Sequence, residues 1–214
     1  MFLKIKQLLG LQPSPEKWDK LKSDALEAIL GPEHNMVMHA IIPFSVGGGL
    51  DLYYYPQKTG FAVATKELID EFGNGPKNRD FPAFELCMFS PITFNLDLAN
   101  DFQSPMGTAH RRINATLNAL ALYASQKTLN INDTIEFPMD FDEELGGQCF
   151  IVTAITKHDR PLVINNKNFG LMVAINIHRA EMNYAREFGG ADLISKLTAA
   201  GIFPNSTLER EPVV

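Results

Sequence analysis

The chain has 214 residues, 45% of them hydrophobic and 21% charged, which are ordinary proportions for a globular protein and enough to bury a core within one domain. Its net charge of −6 argues against a general nucleic-acid binder, which needs a basic stripe to neutralise phosphates. No stretch is long and apolar enough to cross a bilayer, and Met1 to Leu11 lacks the apolar run and cleavage site of a secretory signal, so a cytoplasmic location is expected.

Residues 1–214 read as a single domain, with residues 1–34 as its N-terminal helical segment. Within it a short amphipathic helix at the start precedes a firm helix over 14–30. There Trp18, Leu21, Ala25, Leu26, Ile29 and Leu30 recur at helical spacing. Ser14 caps this helix, Pro15 suits its first turn, and Gly31-Pro32 ends it. Val37 to Phe44 and Leu50 to Tyr55 flank Ser45-Val46-Gly47-Gly48-Gly49 and predict a hairpin with a loose turn. The triple glycine is not a phosphate loop, because no Gly-Lys-Ser/Thr follows and a strand comes next. Phe61 to Thr65 predicts a third strand, and Glu67 to Phe72 a single helical turn. The turn-rich Gly73 to Pro82 then leads into Phe84 to Pro91, the most apolar strand.

An irregular stretch reaches Met106, and Ala109 to Thr128 reads as the longest helix. Its predicted cap is Thr108, with Arg111 and Arg112 in its first turn, an unfavourable end for cations. Such arginines form a solvated face or meet an anion. Thr134 to Phe137 predicts a short strand. Asp140, Asp142, Glu143 and Glu144 crowd an acidic loop that matches a calcium loop only in part. Cys149 to Thr156, Leu162 to Ile164 and Leu171 to Ile177 predict three more strands, with a polar turn at Lys157 to Arg160. Helices over His178 to Phe188 and Ala191 to Ala200 follow, and Pro204 to Val214 reads as an extended surface tail.

Little in this order carries chemistry. Cys87 and Cys149 lie in apolar strand-like runs, which predicts buried, reduced, unbonded thiols. Gly147-Gln148-Cys149 weakly resembles a cysteine-protease nucleophile, but the cysteine there opens a helix and here starts a strand. His34, His39, His110, His158 and His178 share no ligand-like spacing, so no metal and no cofactor are expected. Glu67 with Asp70, or Glu85 with Glu181, could serve as an acid–base pair if the fold joined them. Glu85 is the one charge in the Phe84–Pro91 run. Alternation puts it on a face with Cys87 and Phe89, so a buried Glu85 must accept hydrogen bonds, pair with an arginine, or keep its proton.

Asp51-Leu52-Tyr53-Tyr54-Tyr55-Pro56 is followed by Phe61-Ala62-Val63-Ala64-Thr65, then Leu68 and Asp70, then Phe84-Glu85-Leu86-Cys87-Met88-Phe89-Ser90-Pro91. This order resembles the Suppressor of fused-like family. Its strand with an aspartate leads to an aromatic-proline step, then Thr-x-Gly-Met-Ser-Asp, then Tyr-Glu-Leu-Val-Met-Phe-Leu-Pro. Glu67 stands where the family has glycine, and Ile69 where it has serine. Glu181-Met182 after a strand and Arg210-Glu211-Pro212 near the end are similar too. The resemblance implies an α+β fold, a central mixed, largely antiparallel sheet flanked by helices. It implies no catalysis.

The family's animal member is a two-domain regulator that holds a transcription-factor peptide as an added strand, and this chain resembles its N-terminal domain. Bacterial single-domain members are often immunity proteins of toxin systems. The leading expectation is therefore a non-catalytic protein-binding module, an immunity protein that masks a toxin. Its partner is another protein, neither nucleic acid nor membrane, and the binding candidates are Asp51, Thr65, Asp70, Glu85 and Glu181. The alternative is a small-molecule enzyme centred on Cys149 or a carboxylate pair.

Overall fold

The computed structural model describes residues 13–155 and 161–214. The helix expected before residue 13, the end of the strand expected to reach Thr156, and the turn at Lys157 to Arg160 lie outside the described residues. The elements are α1 (Pro15–Leu30), β1 (Val37–Met38), β2 (Leu52–Pro56), β3 (Phe61–Ala64), β4 (Phe84–Ser90), α2 (Pro105–Gln126), β5 (Asp133–Glu136), β6 (Cys149–Ala154), β7 (Leu162–Ile164), β8 (Lys167–Ile177), α3 (Arg179–Phe188) and α4 (Gly190–Ala199). Ser14 caps α1 through the N–H of Lys17, as its sequence requires.

The strands form one mixed sheet in the order β1-β2-β3-β4-β8-β6-β5, with β7 pairing the start of β8. Only β4 and β8 run parallel. They meet at the centre, and helices cover both faces of the sheet. On one face α1, α3 and α4 bring Trp18, Leu26, Met182, Leu193 and Leu197 against Tyr55, Ala64, Cys87, Val173 and Ile175. On the other α2 lays Ile113, Leu117, Leu120 and Ala121 over Tyr54, Val63, Leu86, Phe150 and Met172. A strand covered on both sides reads as a continuous apolar run, which is why β8 carries no polar side chain from Phe169 to Ile175 and Glu85 is the one charge in β4.

Three expectations are corrected. The strand foreseen over Val37 to Phe44 stops at Met38. The side chain of Asp51 captures the N–H of Ala40, and Pro43 has none to give. The chain then folds into a 3-10 turn over Phe44–Val46. β1 still pairs antiparallel with β2, so the hairpin exists with a wide connection. Glu67 to Phe72 forms no helical turn, because the N–H groups of Leu68 and Ile69 go to Glu85 instead.

The cap of α2 is Ser104, not Thr108. Its Oγ accepts the N–H of Gly107 at 2.9 Å, and Pro105 takes the first helical position. Arg111 and Arg112 accordingly sit in the second turn. The tail is extended at the surface as expected, with Arg210 and Val213 tied to the buried Glu181.

Candidate functional site

The turn between β3 and β4 is built on a buried carboxylate. Glu85 Oε2 accepts the hydroxyl of Thr65 at 2.6 Å and the N–H of Leu68 at 3.2 Å, and Oε1 accepts the N–H of Ile69 at 3.0 Å. The Thr65 hydroxyl also accepts the N–H of Leu86 at 3.0 Å. From the helical side Lys22 Nζ donates to the carbonyls of Lys66 and Ile69, and Trp18 Nε1 donates to that of Ile69 at 3.3 Å. Burial pushes the Glu85 carboxyl above the usual range, against the opposing pull of Lys22, Thr65 and the two backbone N–H groups.

The network continues outward through Lys66. Its Nζ donates to Ser23 at 2.8 Å and to both oxygens of Glu33 at 3.1 Å, and lies 3.6 Å from the centre of the Tyr53 ring. Tyr55 donates its hydroxyl to Glu33 at 3.0 Å. Each of these side chains is spent on the fold, and the node stitches α1 to the sheet.

The fold brings Thr65 and Glu85 together and separates the other candidates. Asp70 accepts the N–H groups of Phe72 at 2.9 Å and Asn74 at 2.8 Å, which closes its own loop. Asp51 lies at the foot of the β1–β2 connection, where it holds His39 Nδ1 at 2.7 Å and gives its N–H to Glu67 at 3.1 Å. Glu181 sits on α3 in a bidentate pair with Arg210, at 2.6 and 2.8 Å, and also accepts the N–H groups of His178 and Val213.

Neither proposed acid–base pair shares a partner, because Glu67 turns to Asp51 while Asp70 turns to Asn74, and Glu85 and Glu181 serve different elements. Cys87 and Cys149 are buried free thiols, and burial pushes both above the ordinary thiol range. Among the described residues no histidine bonds to either thiol. His39 faces Asp51, His110 faces Tyr54, His178 faces a backbone carbonyl, and His34 accepts the N–H of Met36. Among the described residues no three His, Cys, Asp or Glu side chains gather as metal ligands, and no helix is long and apolar enough to span a membrane.

What remains unspent is a groove of about 580 Å³ between the β1–β2 connection and the outer face of α2. Phe44, Gly47, Ala115, Ala119, Leu122 and Phe141 line it, with Asp142 at one end. Leu122 is 53% exposed and Val46, on the connection, 72%. Ile41 stands wholly in solvent and Met139 nearly so.

The connection that displays Ile41 and Val46 is tied down by backbone hydrogen bonds. Gly47 takes the left-handed conformation with φ 90°, and the N–H of Gly49 returns to the carbonyl of Ile42 at 2.9 Å. The backbone at Gly48 presses so close to Ile42 that no Cβ would fit. Leu50 N–H is tied to Asn118 of α2 at 2.8 Å. An apolar groove beside a tied loop with exposed Ile41 and Val46 marks an interaction site better than a single exposed leucine does. Sequence reasoning missed it, although the glycine run beside Ile41, Ile42 and Val46 was its signal.

Neither a family model nor a curated protein sequence matches the chain. Solved structures do. A chain of the Sufu–Fu complex superposes with a TM-score of 0.61 at 12% identity, over 92% of this chain and 92% of that one. Drosophila Suppressor of Fused gives 0.61 at 14% identity over 94% of this chain, which spans 54% of the Drosophila chain. A SUFU homolog from Neisseria gonorrhoeae gives 0.55 at 11% identity, over 93% of this chain and 98% of that one. The likeness read from the order of sequence motifs is present in the fold.

Proposed function

We propose that this chain, built on the Suppressor of fused fold, is a non-catalytic protein-binding module acting as a single domain. The observation that carries the proposal is the apolar groove along α2, with its pinned loop displaying Ile41 and Val46 to solvent. The fold likeness agrees, since a similar chain was solved in the Sufu–Fu complex. The partner is a cationic protein of the cytoplasm, and a toxin masked by this chain as its immunity protein is the reading that joins the sequence resemblance to the charge. Asp140, Asp142 and Glu143 crowd the Phe141 end of the groove, and carboxylates on a rim steer a basic partner. Lys77 and Lys127 border the adjoining hollow at Glu67, so the acidic character belongs to the Phe141 end alone.

Affinity capture with mass identification names the partner, and titration of the purified pair measures the surface. Val46→Asp and Leu122→Asp, placed on exposed side chains, are expected to weaken binding at least about tenfold with unchanged thermal stability. Association is expected to slow as salt rises. A partner bound equally well by both variants excludes the groove, and one bound independently of salt excludes the cationic partner.

A further inference from the structure

The two adjacent arginines of α2 have different fates. Arg111 finds its anion within the chain, Glu144 at 2.8 Å. Arg112 has no carboxylate within ion-pair distance among the described residues, and its Nε is buried without a hydrogen-bond partner. Arg112 as a whole is only half-buried, so although its Nε is shut off, the guanidinium still borders open space and is a charge for which the described residues provide no anion. Arg112 lines a separate cavity of about 400 Å³, walled by the end of β4 and the C-terminal tail.

The wall is fixed in place. Ser206 donates its N–H to the carbonyl of Phe89 at 2.8 Å and accepts that of Asn176 on its hydroxyl at 2.9 Å. A few residues on, Arg210 locks the tail to Glu181. The cavity is therefore preformed, with one guanidinium, the hydroxyls of Ser90 and Thr108, and an apolar lining from Met88, Ile92, Ile113 and Leu208. Its size is that of small-ligand sites, which are mostly apolar with a few placed polar groups.

We infer that this cavity binds a small carboxylate with a compact apolar body, its carboxyl group on the fork of Arg112 and its body against Met88, Ile92 and Ile113. A guanidinium offers parallel donors that match a carboxylate. A phosphate dianion fits less well, because among the described residues Arg112 is the only cation lining the cavity and the exposed Glu209 also lines it. The site lies apart from the protein-binding groove and does not depend on that reading.

The probes are benzoate, its neutral isostere benzamide, and phenyl phosphate, titrated into isotope-labelled protein and followed by amide shifts. Benzoate is expected to move the amides of Ser90, Ile113 and Leu208 saturably. Benzamide is expected to bind at least about tenfold more weakly, and Arg112→Gln to weaken benzoate to a similar degree. Arg79→Gln, an exposed control, leaves it unchanged. Equal binding of benzoate and benzamide, tighter binding of phenyl phosphate, undiminished binding by Arg112→Gln, or an absence of saturable shifts at those amides overturns the assignment. If Arg112→Gln fails to fold, the comparison of benzoate with benzamide on the unaltered chain decides the matter.

Discussion

Glu85 shows how one charge can organise a turn. Its carboxylate has no exposed surface, yet it satisfies a hydroxyl and two backbone N–H groups that no secondary structure would serve. Burial and hydrogen bonding oppose each other here. Burial raises the pKa, whereas the three donors and Lys22 favour the ion. Glu85→Leu removes every acceptor and strands the donors inside the core, so it is expected to cost on the order of 3 kcal/mol in denaturant unfolding. Glu85→Gln keeps one acceptor oxygen and is expected to cost less. A Glu85→Leu protein as stable as the parent removes the structural role and returns the residue to the list of binding candidates.

At the level of elements, α2 joins three features: its inner face closes the core, its outer face lines the groove, and its second turn supplies Arg112. Where it begins therefore matters. The Ser104 hydroxyl accepts the N–H of Gly107 and donates to the carbonyl of Asp101 at 2.8 Å, which ties the helix start to the loop before it. The Thr108 hydroxyl caps nothing and donates to the carbonyl of Phe102 at 3.2 Å. Ser104→Ala is expected to lower stability by about 1 kcal/mol in thermal or urea unfolding. Thr108→Ala is expected to stay within about 0.5 kcal/mol. The reverse order would restore the later helix start suggested by the sequence.

For the whole molecule, the C-terminal tail closes the structure by returning to Glu181. Burial raises the Glu181 carboxyl, but Arg210 and the N–H groups of Val213 and His178 outweigh it and hold the carboxyl below the ordinary value of 4.5. A folded-state value below the unfolded one means that the unfolded chain takes up the proton first. The pairing therefore stabilises the protein above the ordinary carboxyl range, and this contribution fades as pH falls through the depressed value. Glu181→Gln is expected to be less stable than the parent at neutral pH and to lose less on acidification, so that their urea midpoints converge at low pH. Parallel curves would show that Glu181 does not carry this linkage.

The sequence by itself determined most of the elements and which residues of β4 share a face. Helical spacing marked α1, and strict alternation put Glu85, Cys87 and Phe89 on one face and Phe84, Leu86 and Met88 on the other, as the two cores require. The order of its motifs indicated the fold. Only the tertiary structure decided where the β1 ladder stops, because the competing acceptor is Asp51, eleven residues from Ala40. Only it decided that Arg111 meets Glu144 while Arg112 meets no carboxylate among the described residues, and that Glu85 serves a turn while Glu181 serves the tail. The physical reason is range. Periodicity and capping act within a few residues, whereas pairing, cavity walls and exposed patches depend on contacts between segments distant in sequence, whose partners a local pattern does not encode.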